Sequence, residues 1–165
     1  MRKLRVDLEE LVHEATWNDT MDIAPFRYFD TQCGRVVWVE RELAQALEDG
    51  EDLSDYEGDE EVEIARQVAD EDDTRFVCLP ERWPDENFQL MLDFVNEVTE
   101  GKVKDALAEA LRMRKPFRRF KDALSEFPEV REQYFQFEAA CHRLWITNWL
   151  NDLGIEPIDT KREEP

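Results

Sequence analysis

A basic stretch near the middle of the chain carries the residue types best suited to bind an anion. Residues 112–124 contain six cations, which are Arg112, Arg114, Lys115, Arg118, Arg119 and Lys121. Guanidinium groups bind phosphate and carboxylate oxygens in pairs, and a helix beginning near Pro116 would add the positive end of its dipole. The sequence therefore predicts an anion-binding surface. Its candidate ligand-binding residues are Arg114, Lys115, Arg118, Arg119 and Lys121.

Helical spacing within the basic stretch predicts how these cations are held. Pro116 suits the first turn of a helix and cannot continue the helix before it, so we expect the chain to bend there. Phe117, Phe120 and Leu124 then fall on one face, which predicts packing against a core. The residues left facing outward are Arg118, Arg119, Lys121 and Asp122.

The same cations could instead balance the negative charge of the protein itself. Between Glu48 and Asp73 the chain carries a dense run of acidic residues, and Arg66 is the single cation within it. Val62 and Ala65 keep helical spacing there, which predicts a helix between two loops. Under this interpretation the phenylalanines are core residues and the cations are solvated. Both interpretations hold if one or two arginines remain unpaired.

The acidic run does not match a calcium-binding loop. Clustered carboxylates suit calcium or magnesium, and the EF-hand loop needs a glycine at its sixth position. Counting back from Gly50 or Gly58 places Gln45 or Leu53 at the first ligand position. We therefore predict a solvated acidic face, with no metal site and no cofactor.

No group of residues in the sequence is typical of catalysis, so the catalytic residues stay unassigned. Cys141 and His142 are neighbours, and adjacent residues on a helix point about 100° apart, which does not suit a nucleophile and its base. The three cysteines, which include Cys33 and Cys78, are odd in number and widely spaced. This pattern predicts reduced, mostly buried thiols without a disulfide or a zinc site.

The charge of the whole chain restricts the kind of partner. Asp and Glu number 41 against 21 Lys and Arg, so the formal net charge is −20. A field of this sign opposes nucleic acid and anionic membranes. The chain becomes acidic at Asp7 before any apolar stretch, and no run of about 18 apolar residues occurs, so we expect a soluble, cytoplasmic protein. The expected partner is a protein or a small anionic ligand, and self-association could pair the basic stretch with the acidic run.

The apolar patterns predict a single α+β domain over residues 1–158, with an acidic insertion at 48–60 and a polar tail at 159–165. A small antiparallel sheet is expected from a hairpin at 26–39, a strand at 75–79 and a further strand that could form at 155–158. Several helices should pack on this sheet, and the longest is predicted over residues 129–153. Gly34 is suited to the hairpin turn because glycine readily takes a positive φ.

Several short phrases of the sequence are distinctive in their order. They are the turn Asp30–Gly34, Gly50-Glu51-Asp52, Arg75–Pro80, Phe117–Leu124 and the ending from Trp149-Leu150 to Gly154-Ile155. Together they resemble a bacterial family known as uncharacterised protein family 0158, and the phrase Phe-Arg-Arg-Phe-Lys-Asp-Ala-Leu is the most specific of them. The resemblance covers nearly the whole chain. It implies one α+β domain and brings no activity with it.

Two classes of function fit these observations. The first is a non-enzymatic interaction module that binds an anionic partner or phosphate group through the basic helix. The alternative is an enzyme that acts on a phosphorylated or other anionic small molecule, with the same arginines as substrate clamps. A deep pocket with converging polar groups beside Arg119 would favour the enzyme, whereas a flat exposed patch would favour the module.

Overall fold

The computed structural model describes residues 1–17, 23–56, 58–70 and 74–162, which form five strands and seven α-helices. The strands are β1 (Arg2–Val6), β2 (Phe26–Asp30), β3 (Val36–Val39), β4 (Phe76–Cys78) and β5 (Ile155–Asp159). The α-helices are α1 (Leu8–Thr16), α2 (Arg41–Glu48), α3 (Glu60–Ala69), α4 (Pro84–Glu97), α5 (Gly101–Arg112), α6 (Pro116–Leu124) and α7 (Pro128–Asp152). The predicted α+β class and the long C-terminal helix are therefore confirmed.

The chain forms two compact units. The first unit comprises Met1–Glu81 and Ile146–Pro165, and the second comprises Arg82–Trp145. The helix α7 begins in the second unit and ends in the first. That residues 1–158 fold as one cooperative domain remains a prediction.

The predicted hairpin and third strand form an antiparallel sheet in the first unit. Its strand order is β3-β2-β4, with Asp30 opposite Phe76 at one end of the β2–β4 ladder. The hairpin turn contains Gly34 at a φ of +76°, and a Cβ at this residue would strike the carbonyl oxygen of Arg5. Glycine is needed here both for its backbone conformation and for the close approach of β1.

The C-terminal strand forms where it was predicted, but it does not extend the antiparallel sheet. Instead, β5 runs parallel to β1, with Arg2 opposite Ile155 and Val6 opposite Asp159. The sequence did not indicate β1, because that segment offers only Leu4 and Val6 as apolar residues and its partner lies at the other end of the chain. Parallel strands are not joined by a hairpin turn, so no turn residues in the sequence indicate that they pair.

The acidic run contains the predicted helix. In α3, Val62 and Ala65 are buried, whereas the acidic residues Glu60, Glu61 and Glu63 are exposed. The carboxylate of Asp59 accepts the amide N–H of Glu61 at 3.0 Å and so caps the helix. Residue 57 and residues 71–73 of the acidic run lie outside the described residues, as do residues 163–165 of the predicted tail.

The second unit is built around an aromatic core shared by α4, α5, α6 and α7. Phe94 and Phe120 are fully buried, and both rings meet Tyr134 edge to face at centroid distances of 5.2 and 5.1 Å. The other buried members of this core are Leu90, Met91, Val95, Leu107, Leu111 and Leu124. Burying a phenylalanine side chain contributes about 1.5–3 kcal/mol, so this core fixes α6 in place.

Candidate anion-binding surface

The basic stretch spans the junction between α5 and α6. The helix α5 ends at Arg112 and α6 begins at Pro116, which is where the proline predicted a bend. Between them, Lys115 has φ 55° and ψ 59°, a left-handed conformation that costs a non-glycine residue roughly 1–2 kcal/mol. The carbonyl oxygen of Lys115 accepts the amide N–H of Arg119 at 3.0 Å, which begins the helix. The junction is therefore a defined turn rather than an extended linker.

Two side chains hold the inner face of α6 against the core of the second unit. Phe120 is 0% exposed and Leu124 is 2% exposed. The ring of Phe120 packs at 70° against that of Tyr134, an arrangement that aromatic pairs favour. Because this face is fixed, the residues on the opposite side of α6 must project into solvent.

All six cations of the basic stretch, referred to below as the α6 cations, are exposed. Arg118 lies 4.0 Å from the Asp122 carboxylate, and Arg112 lies 4.0 Å from that of Glu109. Exposed pairs of this length contribute at most a few tenths of a kcal/mol. Across the described parts of the chain, no ion pair involves the other four, which are Arg114, Lys115, Arg119 and Lys121.

One prediction about α6 is wrong, because Phe117 does not share the buried face. Its side chain is 39% exposed, whereas that of Phe120 is 0% exposed. On a helix these residues lie about 60° apart, so Phe117 falls at the edge of the buried face. Met113, four residues earlier, is 43% exposed. The α6 cations therefore flank two exposed apolar side chains, which helical spacing alone did not reveal.

Almost the whole chain matches one protein family. The profile of the Uncharacterised protein family (UPF0158) matches residues 1–164. The chain belongs to this family. It is similar to UPF0158 protein PA5073 of Pseudomonas aeruginosa, with 28% identity over 157 residues that cover 95% of this chain and 88% of that protein. No solved structure matches the chain. The family membership predicted from the ordered phrases is confirmed.

In this UPF0158 protein, a buried carboxylate also appears that sequence reasoning did not single out. Asp30 is 2% exposed, and Arg75 binds it twice, with Nε at 2.9 Å from Oδ1 and Nη2 at 2.7 Å from Oδ2. The Gln32 amide donates to Oδ1 at 2.9 Å and the Cys33 thiol to Oδ2 at 3.0 Å. Burial alone would raise the pKa of Asp30, but these hydrogen bonds and the Arg75 charge lower it to about 2. These hydrogen bonds join the hairpin turn to Arg75, the residue that precedes β4.

The thiols of this UPF0158 protein are free, but the prediction that most are buried is wrong. Cys33 and Cys78 are exposed, and only Cys141 is partly buried. Cys33 lies in the hairpin turn, and Cys78 is the last residue of the edge strand β4. Burial raises the pKa of the Cys141 thiol and lowers that of its neighbour His142. Both shifts disfavour a thiolate activated by an imidazolium.

One open cavity among the described residues has a lining that contains none of the α6 cations. An open cavity of about 520 Å³ on α2 is lined by Arg41, Glu42, Gln45, Ala46, Asp49 and Glu51. Among the described residues, no group of three or more His, Cys, Asp and Glu side chains is arranged to hold a metal ion. No helix in the described ranges is both long and apolar enough to cross a membrane.

Proposed function

We propose that this UPF0158 protein is a non-enzymatic interaction module that binds an anionic partner through the α6 cations. The observation that carries the proposal is the exposure of all six cations beside a helix whose inner face is fixed by Phe120. A helix held in this way presents its cations without further ordering of the backbone. Such preorganisation lowers the entropy that binding would otherwise cost.

The weakness or absence of ion pairs with described carboxylates at the α6 cations supports a binding role. Arg114, Lys115, Arg119 and Lys121 form no ion pair with any described carboxylate, so an incoming anion displaces no existing pair there. Arg118 and Asp122 form only a 4.0 Å surface pair. Charge-assisted bonds from arginine to carboxylate or phosphate are about twice as strong as neutral hydrogen bonds. Carboxylate or phosphate groups on a partner are therefore suitable ligands.

The exposure of these residues favours a binding surface over an enzyme site. Small-molecule sites bury most of their ligand in a concave pocket. The side chains of Arg112 and Arg118 are each 78% exposed. Cations presented to this extent meet the surface of a partner more readily than they enclose a substrate.

Binding of fluorescein-labelled polyglutamate tests the proposal by fluorescence anisotropy on the full-length protein. We expect binding that weakens as salt rises from about 0.05 to 0.5 M, because screening shortens the reach of the charges. The double variant Arg118→Glu/Arg119→Glu should lose at least about tenfold in affinity. The matched control is Lys3→Glu/Lys102→Glu, in which two exposed lysines outside the basic stretch are replaced. It changes the net charge by the same amount as the arginine variant and should retain the affinity within about twofold.

Equal losses in the two double variants would show that net charge alone governs binding, and the proposal would then fail. Absence of binding by the unmodified protein at low salt would have the same consequence. A second arm adds inorganic pyrophosphate as competitor. Displacement of polyglutamate by pyrophosphate would show that the α6 cations also accept phosphate groups.

A further inference from the structure

Apolar side chains lie among the α6 cations. The α6 cations together with Met113 and Phe117 are referred to below as the α6 surface. Met113 is 43% exposed and Phe117 is 39% exposed, and Arg114 and Arg118 are their neighbours along the chain. Lys121 lies one helical turn after Phe117, so its aliphatic stem extends the same side of α6. The surface is therefore a mixture of charged and apolar groups, not a uniform basic patch.

A further exposed aromatic residue is connected to this region by ring contacts. Phe135 on α7 is 44% exposed, and the Arg131 guanidinium lies 5.1 Å from its ring centroid. The ring of Phe135 is 6.0 Å from that of Tyr134, which in turn meets Phe120 at 5.1 Å. Tyr134, which packs on Phe120 in the core, therefore also contacts the exposed ring of Phe135.

This composition distinguishes between classes of anionic partner. A free phosphate group has no apolar part to cover Phe117 or Met113. The net charge of −20 repels any anionic partner at long range, and it repels a nucleic acid more strongly than an acidic protein segment because a nucleic acid has the higher density of negative charge. Protein interfaces, in contrast, are enriched in aromatic residues, methionine and arginine, and arginine is frequent among the residues that dominate affinity.

We propose that the α6 surface binds an acidic protein segment that also presents apolar side chains. The carboxylates of the segment pair with Arg114, Arg118 and Arg119. Its apolar side chains cover Phe117 and Met113 and remove them from water. This inference rests on the proposed function and specifies the partner class.

Two synthetic peptides of about 16 residues, long enough to span about 24 Å if helical, test the inference against the full-length protein. One contains glutamate and serine, and the other contains the same number of glutamates with leucine in place of serine. We expect the leucine peptide to bind at least about tenfold more tightly. In the variant Met113→Gln/Phe117→Gln this advantage should fall below about threefold, while affinity for the serine peptide is retained. The control is Leu144→Gln, which removes an apolar side chain that is 63% exposed on α7 and should leave the advantage intact.

Each outcome separates this inference from the proposed function. Equal affinity for the two peptides would overturn the inference and leave the proposed function standing. Failure of the protein to bind either peptide would overturn both. Tighter binding of a single-stranded oligonucleotide than of the leucine peptide would make nucleic acid the partner and also overturn the inference. If Phe117→Gln lowers the melting temperature, Met113→Gln alone provides the test, because Met113 lies outside the helices.

Discussion

Replacing Asp30 by asparagine removes the negative charge from the buried group that joins the hairpin turn to the residue before β4. The substitution keeps the shape of the side chain and one acceptor oxygen. The new amide nitrogen, however, cannot accept the hydrogen bond that Arg75 Nη2 now donates at 2.7 Å or the one from the Cys33 thiol at 3.0 Å. We expect Asp30→Asn to destabilise the folded protein in a way that depends on pH.

The magnitude follows from the pKa of Asp30, which is lowered from 3.8 to about 2 in the folded protein. A difference of this size between the unfolded and folded states corresponds to about 2 kcal/mol of stability. Because the folded pKa is the lower one, this contribution is fully present above about pH 4 and is lost as the pH falls toward 2. The asparagine variant should therefore be about 2 kcal/mol less stable at pH 7 and nearly as stable as the unmodified protein at pH 2.

Urea unfolding followed by tryptophan fluorescence, at a series of pH values from 7 to about 2, measures this difference. Protonation of the many other carboxylates changes the stability of both proteins alike, so it cancels when the two curves are subtracted. The control is Asp122→Asn on α6. That carboxylate is exposed and lies 4.0 Å from Arg118, so its loss should cost less than about 0.5 kcal/mol at any pH.

A difference in stability between Asp30→Asn and the unmodified protein that stays constant from pH 7 to about pH 2 would contradict an origin in the charge of Asp30. It would mean that the cost comes from altered packing or lost neutral hydrogen bonds and not from the charge. An equal loss of unfolding free energy in Asp122→Asn would show that the buried Asp30 carboxylate stabilises the fold no more than an exposed carboxylate does.

The remaining predictions concern α6, the hairpin turn and the cooperativity of folding. Phe120→Ala should reduce the free energy of unfolding by about 3–5 kcal/mol because it leaves a cavity in the core, whereas Arg119→Ala should change it by less than about 0.5 kcal/mol. Similar melting temperatures for the two variants would contradict the assignment of the buried and exposed faces of α6. Gly34→Ala should destabilise more than Gly50→Ala, since both glycines have positive φ but only at Gly34 would a Cβ meet backbone atoms, those of Arg5; urea unfolding of the two variants gives the comparison. If residues 1–158 form one cooperative domain, far-UV circular dichroism and tryptophan fluorescence should report the same urea transition, and two separated transitions would contradict this.

Features of the fold that depend on neighbouring residues could be predicted from the sequence. Pro116 indicated where α6 begins, and the spacing of Phe120 and Leu124 indicated its buried face. Gly34 between two β-rich runs indicated the hairpin. These signals are local, because a turn, a helix start or an amphipathic face is set by residues a few positions apart.

The candidate site was only partly accessible from the sequence. The types and positions of the α6 cations were evident, and their binding role remains a proposal. The exposure of Phe117 was not predicted, because helical spacing places a residue at the edge of a face without saying how far the neighbouring helices extend over it. The exposure of Cys33 and Cys78 was missed for a related reason, since residue type gives an average tendency toward burial and not the position in a sheet.

Composition and local patterns in the sequence were enough to establish the charge map, the family, the α+β class and the long C-terminal helix. Which distant segments meet is seen only in the folded structure. Folding pairs β1 with β5 from opposite ends of the chain and brings Arg75 to Asp30 between the neighbouring strands β4 and β2. Such contacts require the closure of long loops, and each strand could pair with more than one other strand. A local sequence pattern therefore does not identify the partner. The packing of Phe120 on Tyr134 fixes the helix α6 within the basic stretch, and the exposure of Met113 and Phe117 places apolar side chains among its cations.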